Sequence, residues 1–590
     1  MFGKSGRLIK LTAVVLLAIA VPFFSQQIKI KVIETTDTHG AIFPYDFTNL
    51  KPLNHSLAQV YSYVKKERED TTQTVLLFSN GDILQGTPVV YYYNFEVPEK
   101  PHLYAQVMNY MRYDLGTVGN HDIEAGHKVY DKFRKEINFP WLAANATDTK
   151  SGEPYFQPYA VFNVKGVKIA VLGLITPGIP NWLPEILWSG IRFDDMVETA
   201  RKWVKIIKEK EKPDILIGMF HSGVDLNYGG AKQLYLNENA SQAVAEKVPG
   251  FDLVLVGHDH HGWNYRVMNE VTHDSVAILG GTHSAIIFGE ASFYYNKKKH
   301  TLDSLVTKLI DSKNYKPDAD FMNKFKSQFE EVKKYVEKPI AIFTESIDSR
   351  KALFGESKFM DLIHKVQLEL SGAEISFASP LSMHAIIDSG KIIVGDMFKL
   401  YHYENFLYTM KLKGSEIKAV LEYAAAMQFN QMKSPEDHLL NFEKDKDGKI
   451  EFSERYGMPM LKGRFYNFTS AAGINYTVDV TKPEGKRVTI TSISNGRPFD
   501  ENKFYTVALN SYRGNGGGGH LTKGAGISKE ELKKRLVKST EKDLRYLMMK
   551  WFEKKKVIEP PFFNNWKVIP EKLVKPAVER DYKFLFGETK

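Results

Sequence analysis

Seven potential metal donors recur in a fixed order through the first half of the chain. DTH supplies Asp37 and His39, and NGDILQGTP supplies Asp82. GNHD supplies Asn120, ILIGMFHSG supplies His221, and GHDHH supplies His258 and His260. Carboxylate, amide and imidazole donors without a thiolate suit borderline divalent ions. Two such ions side by side activate a water and clamp a phosphoryl group. In extended chain a spacing of two places side chains on one face, so Asp37 and His39, and likewise His258 and His260, could grip one ion together. Asp82 has two oxygens and could bridge a pair of ions. Any one of these strings alone is weak, and GNHD alone is moderately specific. All of them in order, each after an apolar run, make chance an inadequate account. His261 is left outside the set as a neighbour or substrate contact.

The elements that must present these residues are legible. Ile28–Thr36 alternates apolar and polar residues and reads as a strand ending at Asp37. Thr74–Ser79 leads to Asp82, Asp114–Val118 to Asn120, Asp214–Phe220 to His221 and Asp252–Val256 to His258. Lys100–Arg112 and Asp195–Lys210 carry helical periodicity, and Val161–Leu174 reads as a hairpin. Strands alternate with helices, so this half is α/β. Each candidate follows the carboxyl end of a strand, where open α/β sheets place their sites. Tyr315–Lys338 reads as one long charged amphipathic helix bridging to a second domain that starts near Pro339. That second half is expected to be α+β, with helices at Lys358–Leu370 and Gly414–Met427 and strands at Gly473–Val480 and Arg487–Ser494. DKDG within Phe442–Arg455 falls short of a calcium loop and reads as a solvated turn. Gly514–Gly519 lacks the Lys-Ser/Thr ending of a phosphate loop.

At 590 residues with 43% apolar residues, two or more cored domains are expected. The net charge is +9. Lys-rich runs such as Lys297–Lys299 and Lys554–Lys556 read as solvated surface, and no basic stripe with interleaved aromatics points to a nucleic-acid polymer. Lys4, Arg7 and Lys10 followed by apolar Leu11–Phe24 read as a secretory signal over residues 1–25, too short for a comfortable membrane span. The expected location is therefore exported, periplasmic or extracellular, with no stable span in the mature chain; an uncleaved anchor is the alternative. The absence of cysteine excludes a disulfide scaffold, a thiolate metal site and a lipid-modified cysteine.

These strings resemble the calcineurin-like metallophosphoesterase family, and within it the bacterial 5'-nucleotidase and cyclic-nucleotide phosphodiesterase branch. The resemblance covers nearly the whole mature chain. It implies an N-terminal four-layer β-sandwich with flanking helices over residues 28–312, a linker helix over 315–338, and a C-terminal substrate-binding domain with a tail over 339–590. A hinge in the family rotates that domain onto the metals. By the same resemblance Asp37, His39 and His260 would hold one divalent ion (Mn, Zn, Fe or similar), Asn120, His221 and His258 would hold the other, and Asp82 would bridge them. His121 would stabilise the transition state or protonate the leaving oxygen. Relatives often read GNHEFD, the last Asp partnering that histidine. GNHDIE places Glu124 there, and Asp122 is a further candidate. Direct attack by a metal-activated water is the implied chemistry.

In the second half, EISFASP (Glu374–Pro380), IIVGD (Ile392–Asp396), LYHYENFLY (Leu400–Tyr408), YNF (Tyr466–Phe468), GINYTVDV (Gly473–Val480) and NSYRGNGGGG (Asn510–Gly519) are similar to exported 2',3'-cyclic-nucleotide phosphodiesterases with 3'-nucleotidase activity. SPLSMHA stands where 5'-nucleotidases carry an NGGGIR-like string. NGGGGH replaces NGGDGF and puts Gly518 in place of an acid. Tyr466 and Tyr512 match the two aromatics that sandwich a base, with Phe465 and Phe468 competing for the first face. Arg513 is a candidate phosphate or ribose contact, a surface role being the alternative. A small-molecule nucleotide is the expected partner. The rival readings are a 5'-nucleotidase or nucleotide-sugar hydrolase, and a non-catalytic cell-surface binding protein.

Overall fold

The computed structural model describes residues 27–228, 233–453 and 457–587. The expected signal, residues 1–25, lies outside the described residues. In the first half, β1 (Gln27–Thr35), β2 (Gln73–Ser79), β3 (Leu115–Thr117) and β4 (Trp141–Leu142) run parallel to one another. β5 (Tyr159–Val164) and β6 (Val167–Ile175) form the expected hairpin, and β7 (Ile215–His221) and β8 (Leu253–Val256) continue beside β6 in parallel. β9 (Trp263–Met268), β10 (Ser275–Gly280), β11 (Ile287–Asn296) and β12 (Thr301–Asp311) complete two six-stranded sheets, ordered β12-β11-β1-β2-β3-β4 and β9-β10-β8-β7-β6-β5.

The two sheets face each other. Ile30 and Val32 of β1 and Leu76 and Phe78 of β2 pack against Ile169 and Val171 of β6, Ile215 and Ile217 of β7, and Leu253 and Leu255 of β8. This is the period-two alternation of strands with one face buried in a sandwich. Ile33 and Leu77 point the other way, under helices α1 (Leu57–Glu69) and α2 (Leu103–Met111). On the far sheet Leu172, Leu216 and Val254 lie under α3 (Met196–Lys210). The result is helix, sheet, sheet, helix: four layers. Because the ligand-bearing strands within each sheet are parallel, their carboxyl ends open on a shared rim.

The segment expected to form one bridging helix is a correction. It folds as two, α4 (Ala319–Lys324) and α5 (Lys326–Val336), with Phe325 between them in non-helical geometry at φ −106°, ψ 15°. The break lets Phe321 and Phe325 both enter an aromatic cluster with Phe43 and Tyr110. Phe321 is fully buried and Phe325 is 2% exposed. Tertiary burial of two large rings outweighs the few tenths of a kcal/mol per residue that continued helix would add.

In the second half a five-stranded sheet runs β16-β14-β19-β15-β20 and a three-stranded one β18-β17-β21. Here β13 is Pro339–Phe343, β14 Ile375–Ala378, β15 Phe406–Lys413, β16 Ser470–Ala472, β17 Ile474–Asp479, β18 Val488–Ile493, β19 Phe504–Asn510, β20 Leu536–Asp543 and β21 Trp566–Ile569. Helices Lys358–Ser371 and Gly414–Gln428 cover them. The DKDG turn is closed on itself: the Asp445 carboxylate accepts from the backbone N–H groups of Asp447 and Lys449 at 2.9 Å each. No helix among the described residues is long and apolar enough to cross a membrane.

Candidate metal centre and substrate cleft

Five of the seven sequence candidates take left-handed backbone conformations: Asp37 (φ 49°), His39 (φ 48°), Asp82 (φ 54°), His258 (φ 76°) and His260 (φ 62°). Such geometry costs non-glycine residues of order 1 kcal/mol or more, and its concentration here points to function. The loops are tied together to hold it. Asp37 N–H donates to Gly81 O at 3.1 Å and His39 N–H to Asp82 O at 2.9 Å. His258 N–H donates to both oxygens of Asp37, at 3.1 and 3.0 Å. Gly81 allows the convergence: a Cβ there would lie 2.7 Å from Gly119 N and 2.7 Å from His221 Nδ1.

All seven side chains meet on the rim, in two groups. Asp37, His39 and His260 form one, and Asp82, His221 and His258 the other, with donor atoms in each group within 4.8 Å of one another. Asn120 joins the second group, its Oδ1 lying 2.8 Å from His258 Nδ1 and 3.2 Å from His221 Nε2. His39 Nδ1 faces Gln85 O at 3.0 Å and His221 Nδ1 faces Asn80 O at 2.6 Å, so each ring directs Nε2 into the site. Burial pushes His39 and His258 down to about 3, which keeps their rings neutral and their lone pairs available. Burial works against charge on Asp37 and Asp82 too, but His260 and His221 beside Asp37, and His221 and His121 beside Asp82, hold both carboxyls below the usual range.

The donor set fits divalent cations. His39 Nε2 and His260 Nε2 stand 3.0 Å apart, two ring nitrogens aimed at one point. Asp82 is 1% exposed, and its buried Oδ2 faces His221 Nε2 at 3.1 Å without accepting a hydrogen bond among the described residues. A buried carboxylate oxygen without a donor is costly unless a cation meets it.

His121 sits beside Asp82, its N–H donating to Asp82 Oδ1 at 2.8 Å, and its ring lies 5.3 Å from that of His39. Its Nδ1 contacts Glu124, which leaves Nε2 for the cleft. Burial disfavours the charged ring, yet the Asp82 and Glu124 carboxylates outweigh it and raise His121 to about 10. Asp122, the other candidate partner, is turned away. Its Oδ1 accepts from Ile83 N–H at 2.8 Å and Leu84 N–H at 3.0 Å, and its Oδ2 from Asp82 N–H at 3.1 Å and Gly119 N–H at 2.8 Å. It clamps the Asp82 loop to the Asn120 helix.

Across the cleft, Tyr466 lies in a short turn (Phe465–Asn467) and Tyr512 in a short helix (Ser511–Gly514), both half-buried. The Tyr466 hydroxyl feels those of Tyr228 and Tyr512, and the Tyr512 hydroxyl feels that of Tyr228, which groups the three. One side of the Tyr512 ring rests on Gly517, where a Cβ would come within 2.5 Å of it. Two other candidates are not available to a ligand. Phe468 is 2% exposed and packs in the core of the second half. Arg513 is 4% exposed, and its guanidinium donates to Asn467 Oδ1 (3.3 Å), Gly517 O (2.8 Å), Ser379 Oγ (3.3 Å) and Thr469 Oγ1 (3.1 Å), with His520 Nδ1 at 2.7 Å. Both are corrected to packing roles. Buried polar residues around 513 look like any loop in sequence, and only the fold shows where the charge is absorbed.

Four residues at the cleft are not among the sequence candidates: Trp182 and Tyr228 carry no sequence signal, and Tyr403 and Glu404 lie in the LYHYENFLY string, which does not single them out. Trp182 stacks on His258, ring centroids 5.6 Å apart and planes 27° apart. Its loop meets the second half through Lys533 Nζ to Glu185 at 2.9 Å. Tyr228 follows His221 by seven residues and carries Arg464 over its ring at 5.6 Å. Tyr403 and Glu404 come from the second half, and the charge of Glu404 acts on both His121 and Glu124. Glu404 is anchored by Arg545 at 2.8 Å.

Residues 30–262 match the model for calcineurin-like phosphoesterases and residues 335–523 that for the 5'-nucleotidase C-terminal domain. A trifunctional nucleotide phosphoesterase, YfkN of Bacillus subtilis, is 26% identical over 92% of this chain, which spans 39% of that longer protein. A 2',3'-cyclic-nucleotide 2'-phosphodiesterase/3'-nucleotidase of Haemophilus influenzae is 24% identical over 95% of this chain and 91% of its own. A Staphylococcus aureus structure assigned to a 5'-nucleotidase, with α-ketoglutarate bound, superposes with a TM-score of 0.75 at 21% identity, over 92% of this chain and 99% of that one. The chain therefore belongs to the calcineurin-like phosphoesterases that carry a 5'-nucleotidase C-terminal domain, a family of enzymes that hydrolyse nucleotide phosphoesters with divalent metals.

Proposed function

We propose that this enzyme opens 2',3'-cyclic nucleotides to the 3'-monophosphate and then releases phosphate to leave the nucleoside, and that it does so outside the cytoplasm after loss of residues 1–25. The observation that carries the reading is the pair of donor groups sharing one rim with His121 and facing two tyrosines across a cleft. Asp37, His39 and His260 would hold one divalent cation, and Asn120, His221 and His258 the other, with Asp82 between them. Bound there, the cations would supply an acidified water and Lewis-acid stabilisation of phosphoryl oxygens. Glu124 fixes the His121 tautomer so that Nε2–H faces the leaving oxygen. As the water oxygen bonds to phosphorus and gives up a proton to solvent, the P–O2' bond breaks and His121 Nε2 gives its proton to O2', regaining one from solvent afterwards. Tyr466 and Tyr512 hold the base between flat faces that accept any base. The 24%-identical relative named for this reaction supports the substrate preference.

The test is a substrate panel on metal-replete enzyme, comparing 2',3'-cyclic AMP, 3'-AMP and 5'-AMP by product chromatography. The expected order of kcat/KM is cyclic and 3' above 5'. A preference for 5'-AMP would replace this reading with a 5'-nucleotidase, and no turnover of any would leave a binding protein.

A further inference from the structure

We infer that Trp182 is a positioning residue of the metal centre, its indole holding the His258 ring in the orientation that its donor group needs. The inference rests on the reading above that Asn120, His221 and His258 hold one of two divalent cations, and it assigns that site a support outside both donor groups.

The histidines of the rim differ in what fixes their rings. His39 Nδ1 faces Gln85 O at 3.0 Å and His221 Nδ1 faces Asn80 O at 2.6 Å. A carbonyl on the far nitrogen sets both the tautomer and the plane of such a ring. His258 has no carbonyl of this kind. Its Nδ1 is turned inward, 2.8 Å from Asn120 Oδ1, and no hydrogen bond holds its Nε2 among the described residues. Its backbone N–H is tied to Asp37, but that leaves the side-chain torsions open. Its edge-on contact with His221, at 5.5 Å and 65°, lies within the donor group itself. The support from outside is Trp182, whose ring centroid lies 5.6 Å from that of His258 with the planes 27° apart. Offset stacking is a preferred geometry for flat rings at this spacing, and turning the imidazole would break it.

The indole is itself seated. Its loop starts beside another member of the same donor group, where Thr176 N–H donates to His221 O at 2.9 Å. A short turn, Ile179–Asn181, follows, with Ile179 fully buried. Trp182 N–H and Leu183 N–H both donate to Ile179 O, at 3.1 and 3.0 Å. The turn folds the indole back onto Gly178, where a Cβ would lie 2.4 Å from Trp182 Cη2 and 2.7 Å from Cζ2. Packed on residue 178 and stacked on His258, the half-buried indole is fixed at two contacts. A ligand ring that is already oriented loses less side-chain freedom when the ion binds, so the support appears as metal affinity.

The test titrates full-length enzyme, stripped of metal, with Mn²⁺ and follows the free ion by electron paramagnetic resonance, with melting temperature measured alongside. Wild-type enzyme should take up two ions. Trp182→Ala is expected to weaken one of the two binding steps by roughly 10- to 100-fold, the scale for a residue that supports a metal ligand, and to leave the other near its wild-type value. Trp182→Phe keeps a flat face and should recover part of the loss. Gly178→Ala keeps the indole but takes away its seat. The backbone there, at φ −70° and ψ −11°, suits any residue, so the added methyl acts only by pushing Trp182 aside, and the same step should weaken. That pattern supports the inference. Unchanged affinities in Trp182→Ala, an equal loss at both steps, or a Trp182→Phe enzyme no better than Trp182→Ala would overturn it. Wild-type enzyme that binds fewer than two Mn²⁺ would instead overturn the two-metal reading beneath it.

Discussion

Replacing Asp122 by Asn separates a structural clamp from a catalytic partner. The carboxylate serves four backbone donors, two on each oxygen. An asparagine keeps one acceptor oxygen for one pair of donors. Its NH2 then faces the other pair, N–H against N–H. If Oδ1 stays with Ile83 and Leu84, the Asp82 and Gly119 amides lose their acceptor. Each orphaned buried donor costs about 1–3 kcal/mol, or about 2–6 kcal/mol together. At roughly 2–4 °C per kcal/mol, the apparent melting temperature should drop by at least about 4 °C. The same two amides flank the Asp82 carboxylate and the Asn120–His121 turn. Loosening them should displace Asp82, and a displacement near 1 Å costs about 10²-fold in rate. Differential scanning fluorimetry, elemental analysis and steady-state kinetics on one preparation read all three effects. A variant that melts at the wild-type temperature with full metal content and turnover would refute the clamp. A variant of unchanged stability that loses only rate would return Asp122 to the role of orienting His121.

Four further outcomes are expected. Asp82→Asn should cripple hydrolysis, because a neutral amide compensates two cations poorly; near-wild-type kcat in a metal-replete sample would remove Asp82 from the bridging position. His121→Ala should keep its metals and lose about 10²- to 10⁴-fold in kcat, the usual scale for a positioned proton donor; loss of metal by elemental analysis would make the residue a ligand instead. Tyr466→Ala and Tyr512→Ala should each weaken nucleotide binding by about 1–3 kcal/mol per lost face while sparing a small aryl phosphate, and equal losses on both substrates would point to misfolding. Far from the metals, burial and the neighbouring Glu356 charge push Asp361 up to about 7, only partly relieved by the N–H of Phe563. An unfolded aspartate titrates near 3.9, so folding takes up a proton between those values and stability falls as pH rises from about 4 to 7. Asp361→Asn should flatten that decline in melting temperature, and an unaltered pH profile would refute the assignment.

The sequence by itself determined which donor side chains converge, because donor type is written in residue identity and each donor is anchored to a local signal. An apolar run predicts a strand, a strand end predicts the rim, and five strings at five strand ends predict convergence. The four-layer sandwich follows from the same alternation, since Ile30 and Val32 face one way and Ile33 the other. What depends on long-range packing was not legible. Nothing near Phe325 marks a helix break, because its cause is an aromatic cluster assembled from residues about 200 or more positions away. Asp122 and Glu124 are both acids beside His121 in sequence, and only the fold shows that one turns to four backbone amides and the other to the imidazole. Arg513 and Phe468 sit in strings that mark a ligand site, yet burial closes both. Trp182, Tyr228, Tyr403 and Glu404 reach the cleft because two halves of the chain close on one another. A contact between distant loops leaves no periodicity, and its residues acquire their roles only when tertiary structure sets the distance between them.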